Sequence, residues 1–99
     1  MPRIQGLAES GILTADQLLK TGKGYVFSIT ITFKGVAAGD LCTLKDGLTD
    51  AAEDEVPFIF PAAAGTITKE WPQGKEFETG IFWNRGPTAG SVFAEVTFK

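Results

Sequence analysis

Residues 25–34 read YVFSITITFK, and this stretch decides the fold class. Large apolar side chains recur at every second position, and a Ser, Thr or Lys stands between them except at Val26. A period of two in β-branched and aromatic residues is typical of a strand with one buried face. The stretch therefore predicts a long strand whose inner face carries Tyr25, Phe27, Ile29, Ile31 and Phe33.

Turn signals divide the rest of the chain into further short strands. The turn dipeptides Asp46-Gly47 and Gly86-Pro87 separate apolar runs at intervals typical of antiparallel sheets. Strands are expected over 40–46, 56–60, 65–71, 77–84 and 92–98. Gly80 inside a strand indicates a bulge or a close backbone approach, and Pro57 places its strand at an edge or beside a bulge. The prediction is all-β: a small antiparallel β-sandwich, jelly-roll or immunoglobulin-like, of about six to eight strands.

The first part of the chain has weaker alternation. The segment 14–17 fits a helix capping box, but too few residues follow before Gly22 for a stable helix. A short strand over 18–20 is at least as well supported. We therefore divide the chain into an N-terminal arm, residues 1–16, and a β-sandwich domain, residues 17–99.

Length and charge narrow the function classes. The chain has 99 residues, enough for one domain, and 43% of them are hydrophobic. The formal net charge of −3 gives no electrostatic reason to expect nucleic acid or an anionic membrane as a partner. No signal peptide or transmembrane segment is recognised, so we expect a protein that is made and kept soluble.

The residues that most enzymes use are scarce. The sequence contains no histidine, and its lone cysteine, Cys42, lies between apolar neighbours that favour a buried thiol. We expect no enzymatic activity, no disulfide and no cofactor. Five acidic residues could wrap a calcium ion, although their spacing matches no known loop and a solvated loop is the better interpretation. These residues are Asp46, Asp50, Glu53, Asp54 and Glu55.

Two apolar runs do not alternate with polar residues. Residues 56–61 read VPFIFP and residues 81–83 read IFW, so each strand carries large apolar groups on both faces. If the outer face were solvated, these groups would form an exposed apolar patch. Contact with another chain would bury them and explains why they are apolar. We expect a homo-oligomer, or a protein that coats a larger assembly. Trp71 and Trp83 could instead form a platform for sugar rings, but packing in the core is favoured for each.

Several motifs resemble one group of viral proteins. The motifs are Lys20, Gly22 and Gly24 before the long strand, Gly39-Asp40 with Thr43-Leu44, Asp46-Gly47, and Phe77 with Thr79-Gly80. Together with the closing VT strand, they resemble the small β-sandwich virion structural proteins of tailed bacteriophages. The resemblance covers about four-fifths of the chain and leaves out the arm.

The resemblance implies a capsid decoration or cement protein. Such a protein binds the major capsid protein on the outside of a phage head, as a dimer or trimer, after assembly in the host cytoplasm. The contact residues expected on this interpretation are Arg3, Ile4, Pro57, Phe58, Phe60, Phe82 and Trp83. The alternative is a fibre-associated, tail-associated or carbohydrate-binding module that uses exposed tryptophans.

Overall fold

A computed structural model describes residues 7–86 and 90–99. Within these ranges the chain forms eight β-strands and no α-helix. The strands are β1 (Ala8–Glu9), β2 (Gln17–Thr21), β3 (Gly24–Lys34), β4 (Leu41–Asp46), β5 (Asp54–Ile59), β6 (Ala64–Phe77), β7 (Gly80–Asn84) and β8 (Ser91–Phe98).

The strands build two four-stranded antiparallel sheets. The first sheet has the order β1-β8-β3-β6, and the second has the order β2-β7-β4-β5. The two sheets pack face to face around one apolar core, so the predicted β-sandwich is confirmed. The strand expected over 18–20 is present as β2, and Pro57 lies on β5, an edge strand as predicted.

β3 is the central strand that the alternation predicted. Ile29, Ile31 and Phe33 point into the core and are almost fully buried. Their partners on β8 are Val96, Ala94 and Val92, which are also buried. Facing rows of β-branched and aromatic side chains of this kind stabilise a sheet through cross-strand packing.

The prediction was wrong at the start of β3. A register shift between Val26 and Ser28 inserts a β-bulge, and Val26 is fully buried while Tyr25 and Phe27 are only partly buried. An extra residue in one strand reverses the alternation of faces beyond it. The two aromatic side chains therefore lie on the outer surface, and the apparent exception in the pattern, Val26, is the core residue.

The second sheet supplies the other half of the core. Its buried side chains include Cys42, Leu44, Phe60, Ile81 and Trp83. The rings of Phe33 and Phe60 join the two sheets, with centroids 4.6 Å apart. Gly80 confirms the predicted close approach, because a Cβ at this position would lie 2.7 Å from the Gly47 carbonyl oxygen.

Part of the predicted arm belongs to the first sheet. Ala8 pairs with Phe98, and Leu13 forms an isolated bridge with Ala94. The Leu13 side chain is 3% exposed and packs in the core. Two of the expected contact residues, Arg3 and Ile4, lie outside the described residues.

Candidate interaction surfaces

Three of the expected contact residues lie inside the sandwich. Phe58 is 8% exposed, and Phe60 and Trp83 are fully buried. The structure corrects these predictions, because side chains in a strand alternate in direction even where the sequence does not alternate in polarity. Phe58 and Phe60 share the inner face, and Ile59 between them is 63% exposed. A partner of the folded chain cannot reach the three aromatic rings.

The outer face of the second sheet carries an apolar patch, which we call the second-sheet patch. It consists of two groups on this face, Leu41, Pro57 and Ile59 on β4 and β5, and Leu18 and Phe82 on β2 and β7. The polar residues Thr43, Lys45 and Asn84 lie between the two groups. Leu41 is directly opposite Ile59, and Leu18 is directly opposite Phe82. Pro57 and Phe82 were predicted as contacts. Leu18, Leu41 and Ile59 were missed, although the alternation of Ile59 with the two phenylalanines is a signal that could have identified it.

The outer face of the first sheet has a smaller exposed apolar pair. Ile12 and Phe93 are 67% and 44% exposed. Together with Thr30, Thr32 and Glu95 they line a shallow cavity of about 340 Å³. The sequence analysis did not single out either residue: Ile12 lies in the poorly alternating first part of the chain, and Phe93 stands between Val92 and Ala94.

The β-bulge builds a third surface, the bulge cleft. Tyr25 and Phe27 line a cavity of about 380 Å³ together with Lys20, Lys23, Gln73 and Lys99. Phe27 also lines a neighbouring cavity of about 410 Å³ that includes Trp71 and Pro72. Bulges often redirect side chains toward functional sites. Here the redirected aromatic rings stand beside ammonium and amide groups, a combination that can hold a sugar ring or an anionic group.

Charge in the bulge cleft is partly balanced. The Lys23 Nζ atom lies 3.6 Å from a carboxylate oxygen of Glu76. This carboxylate raises the pKa of Lys23 above its ordinary value of 10.5. Gly74 has a φ of +85°, which L side chains rarely adopt, and a Cβ there would lie 3.0 Å from the Phe27 ring, so the ring would have to shift.

The acidic segment has structural contacts. Asp46 accepts backbone hydrogen bonds from Glu78 and Thr79 at 2.9 and 2.8 Å. Asp54 pairs with Lys45 at 3.2 Å, and Glu55 pairs with Lys75 at 3.0 Å. Across residues 7–86 and 90–99, no group of three potential metal ligands comes together. Three of the five acids, Asp46, Asp54 and Glu55, therefore lie on strands β4 and β5 and make contacts within the chain.

Cys42 is a core residue, as predicted. Its side chain is fully buried, and burial raises the pKa of the thiol to about 12. A thiol with this pKa is almost wholly protonated at neutral pH and is a poor nucleophile.

No family model matches the chain, and no curated protein matches it significantly. Within the part of the chain that the structure describes, no helix is long and apolar enough to cross a membrane.

Proposed function

We propose that this chain is a non-enzymatic structural protein of a tailed-bacteriophage virion. In this proposal it is a decoration or cement protein that binds the major capsid protein on the outside of the head and bridges capsid subunits. The motif resemblance supports the virion assignment. The β-sandwich, with apolar side chains left on outer faces, supports a role in binding other proteins.

The second-sheet patch is the observation that carries the binding role. Leu41 and Ile59 are 40% and 63% exposed and lie directly opposite each other, next to Pro57. Isolated apolar residues are common on protein surfaces, but adjoining ones mark interaction sites. We assign this patch to the capsid contact, with Arg3 and Ile4 as further predicted contacts.

A cement role requires many weak contacts. Copies that touch the shell at more than one place are retained more strongly than any single contact allows. A patch of about five side chains per copy is therefore sufficient to retain the protein on the head, because each copy also contacts its neighbours.

The test measures how many copies of the chain bind to each phage head. Undecorated heads are incubated with the wild-type chain, with Ile59→Glu, and with Phe93→Glu as a matched control on the opposite sheet. We expect near-stoichiometric occupancy for the wild type and the control, and at least a tenfold loss for Ile59→Glu. Equal occupancy by both variants would refute the assignment of the patch, and failure of the wild type to bind would refute the decoration role.

The bulge cleft supports a second candidate, a fibre-associated, tail-associated or carbohydrate-binding module. Trp83 is buried and cannot contribute, but Tyr25, Phe27 and partly buried Trp71 line the adjoining cavities. A glycan array compares the wild type with Tyr25→Ala/Phe27→Ala. Binding that this double substitution abolishes supports the carbohydrate-binding module, and an array without hits removes the carbohydrate-binding function.

A further inference from the structure

The bulge cleft contains a sequence motif to which the proposed functions assign no role. This motif consists of Lys20, Gly22 and Gly24, just before and at the start of β3. A Cβ at Gly24 would lie 2.7 Å from the Lys20 Cδ atom, so the aliphatic stem of Lys20 crosses the chain where glycine leaves room. Lys20 lines the same cavity as Tyr25 and Phe27. The motif therefore brings a lysine side chain beside two aromatic rings.

An enlarged bulge in β6 forms the floor and one wall of the cleft. The register of β3 against β6 places four residues, 71–74, opposite the single residue Phe27. A Cβ at Gly74 would lie 3.0 Å from the Phe27 ring and 3.3 Å from the Tyr25 Cβ atom, so both side chains pack over bare backbone. Gln73 is exposed and lines the cavity beside them. The cleft thus combines two rings with a side-chain amide at its rim.

The lysines of the cleft differ in how far their charge is neutralised. Lys23 lies 3.6 Å from Glu76, and Glu78 also acts on Lys23 through its charge. Among residues 7–86 and 90–99, no ion pair involves Lys20 or Lys99. The cleft therefore offers two ammonium groups that can pair with a ligand, next to carboxylates that repel closely spaced negative charges.

This combination of groups fits an acidic sugar. A pyranose ring has a face of C–H groups, which packs on aromatic rings such as Tyr25 and Phe27, and its hydroxyl groups can exchange hydrogen bonds with the Gln73 amide. A carboxylate on the ring would form charge-assisted hydrogen bonds with the ammonium groups. Two backbone hydrogen bonds, of 2.8 and 2.9 Å, hold Lys99 beside Tyr25. The cavity of about 380 Å³ is within the usual range for small ligands.

We propose that the bulge cleft binds a saccharide with an isolated carboxylate, a uronic-acid unit, whose ring packs on Tyr25 and Phe27 and whose carboxylate pairs with Lys20 and Lys99. The cavity of about 410 Å³ on the other side of Phe27 has room for the next sugar unit. Glu70 lines that cavity, which favours a neutral unit there. This inference rests on the second candidate function, the carbohydrate-binding module, and names its ligand class.

Single-stranded nucleic acid is the competing ligand, because its bases also stack on aromatic rings and its phosphates also bind lysines. Its charges recur at every nucleotide, so it needs a positive groove that follows the backbone. Glu76 and Glu78 near Lys23, and Glu70 in the adjoining cavity, interrupt such a groove. The charges of the cleft therefore favour one carboxylate over a row of phosphates.

Isothermal titration calorimetry on the full chain compares a galacturonate disaccharide with the matched neutral galactose disaccharide. We expect the acidic disaccharide to bind about tenfold more tightly at low ionic strength. Salt at about 0.5 M should remove most of this preference, because it screens exposed charges. Tyr25→Ala/Phe27→Ala should weaken binding of both disaccharides by at least about tenfold. Circular dichroism verifies that each variant folds.

Lys20→Met tests the ammonium group, because methionine keeps an apolar stem over Gly24 and removes only the charge. Affinity for the acidic disaccharide should fall about tenfold, and affinity for the neutral one should not change. Lys34→Met is the matched control, since Lys34 is an exposed lysine of β3 outside the cleft. Glu76→Gln should raise affinity for the acidic disaccharide about threefold, because it releases Lys23 from its ion pair.

The outcomes separate this inference from the functions proposed above. Equal affinity for the two disaccharides would overturn the acidic ligand and leave a carbohydrate-binding module standing, whereas binding of neither would refute both. Occupancy on heads tests the decoration role independently.

Two further probes test the ligand class. Inorganic phosphate that binds as tightly as the acidic disaccharide would show a simple anion site, and tighter binding of an oligothymidylate would show a nucleic-acid site. Either result would overturn the inference, as would equal losses of affinity in Lys20→Met and Lys34→Met.

Discussion

Leu13 and Ala94 exchange both of their backbone hydrogen bonds, with N···O distances of 2.7 and 3.0 Å. The bond pair fastens a segment near the start of the chain to its last strand. It also places Leu13 in the core, so this segment is part of the sandwich.

Leu13→Ala should lower the free energy of unfolding by about 2–4 kcal/mol, because it removes a buried side chain and leaves a cavity. Ile12→Ala is the control, since Ile12 is 67% exposed and should change stability by less than about 0.5 kcal/mol. Urea denaturation of both variants measures the difference. Equal effects would contradict the core position of Leu13.

The bulge in β3 reverses which neighbouring side chain is buried, and paired substitutions test this. Val26→Asp should destabilise the fold by at least about 3 kcal/mol, because Val26 is fully buried and a carboxylate there has no described partner. Phe27→Asp should cost far less, because Phe27 lies on the outer surface. Thermal unfolding compares the two. The opposite ranking would show that the alternation continues unbroken through residue 27.

Trp83 combines full burial with an indole N–H that has no hydrogen-bond partner among the described residues. Trp83→Phe should therefore change stability by less than about 1.5 kcal/mol, because relief from the unpaired N–H offsets part of the lost packing. Trp83→Ala should cost about 3–5 kcal/mol. Chemical denaturation measures both values, and a Phe variant as unstable as the Ala variant would show that the indole N–H does have a partner.

Asp46 should make stability depend on pH in the acid range. Burial favours a higher pKa, but hydrogen bonds from the N–H groups of Glu78, Thr79 and Gly80 outweigh it and hold the pKa below the ordinary 3.8. A lowered pKa in the folded state stabilises the fold above the unfolded-state pKa, and this contribution disappears as the pH falls through the folded value.

Asp46→Ala should thus cost about 1–2 kcal/mol at pH 7 and progressively less below pH 3.8. Urea denaturation at pH 7, 4 and 2.5 follows the convergence with the wild type. Glu53→Ala is the control, as an exposed acid from the same segment. A constant difference across this range would mean that the Asp46 charge plays no part.

The candidate surfaces divide into those that the sequence could predict and those that it could not. The missing N–H of Pro57 predicts an edge strand or a bulge, and β5 is an edge strand; Phe82 is an expected contact residue, and it lies on the outer face. Phe58 and Phe60 were assigned to a contact because an apolar run shows no polarity difference between its two faces. Only the position of the other sheet decides which face is the inner one.

The sequence by itself determined that the protein is all-β, because a period of two over residues 25–34 and regularly spaced turns permit little else. The tertiary structure decided which face of each strand is buried and which strands lie at the edges of the sheets. A single bulge residue turned Tyr25 and Phe27 outward, and pairing between residues far apart in sequence placed β6 and β5 at edges of their sheets. Both the buried face and the edge position depend on contacts between strands that are far apart in sequence. The local pattern of residues that defines a strand contains no information about these contacts.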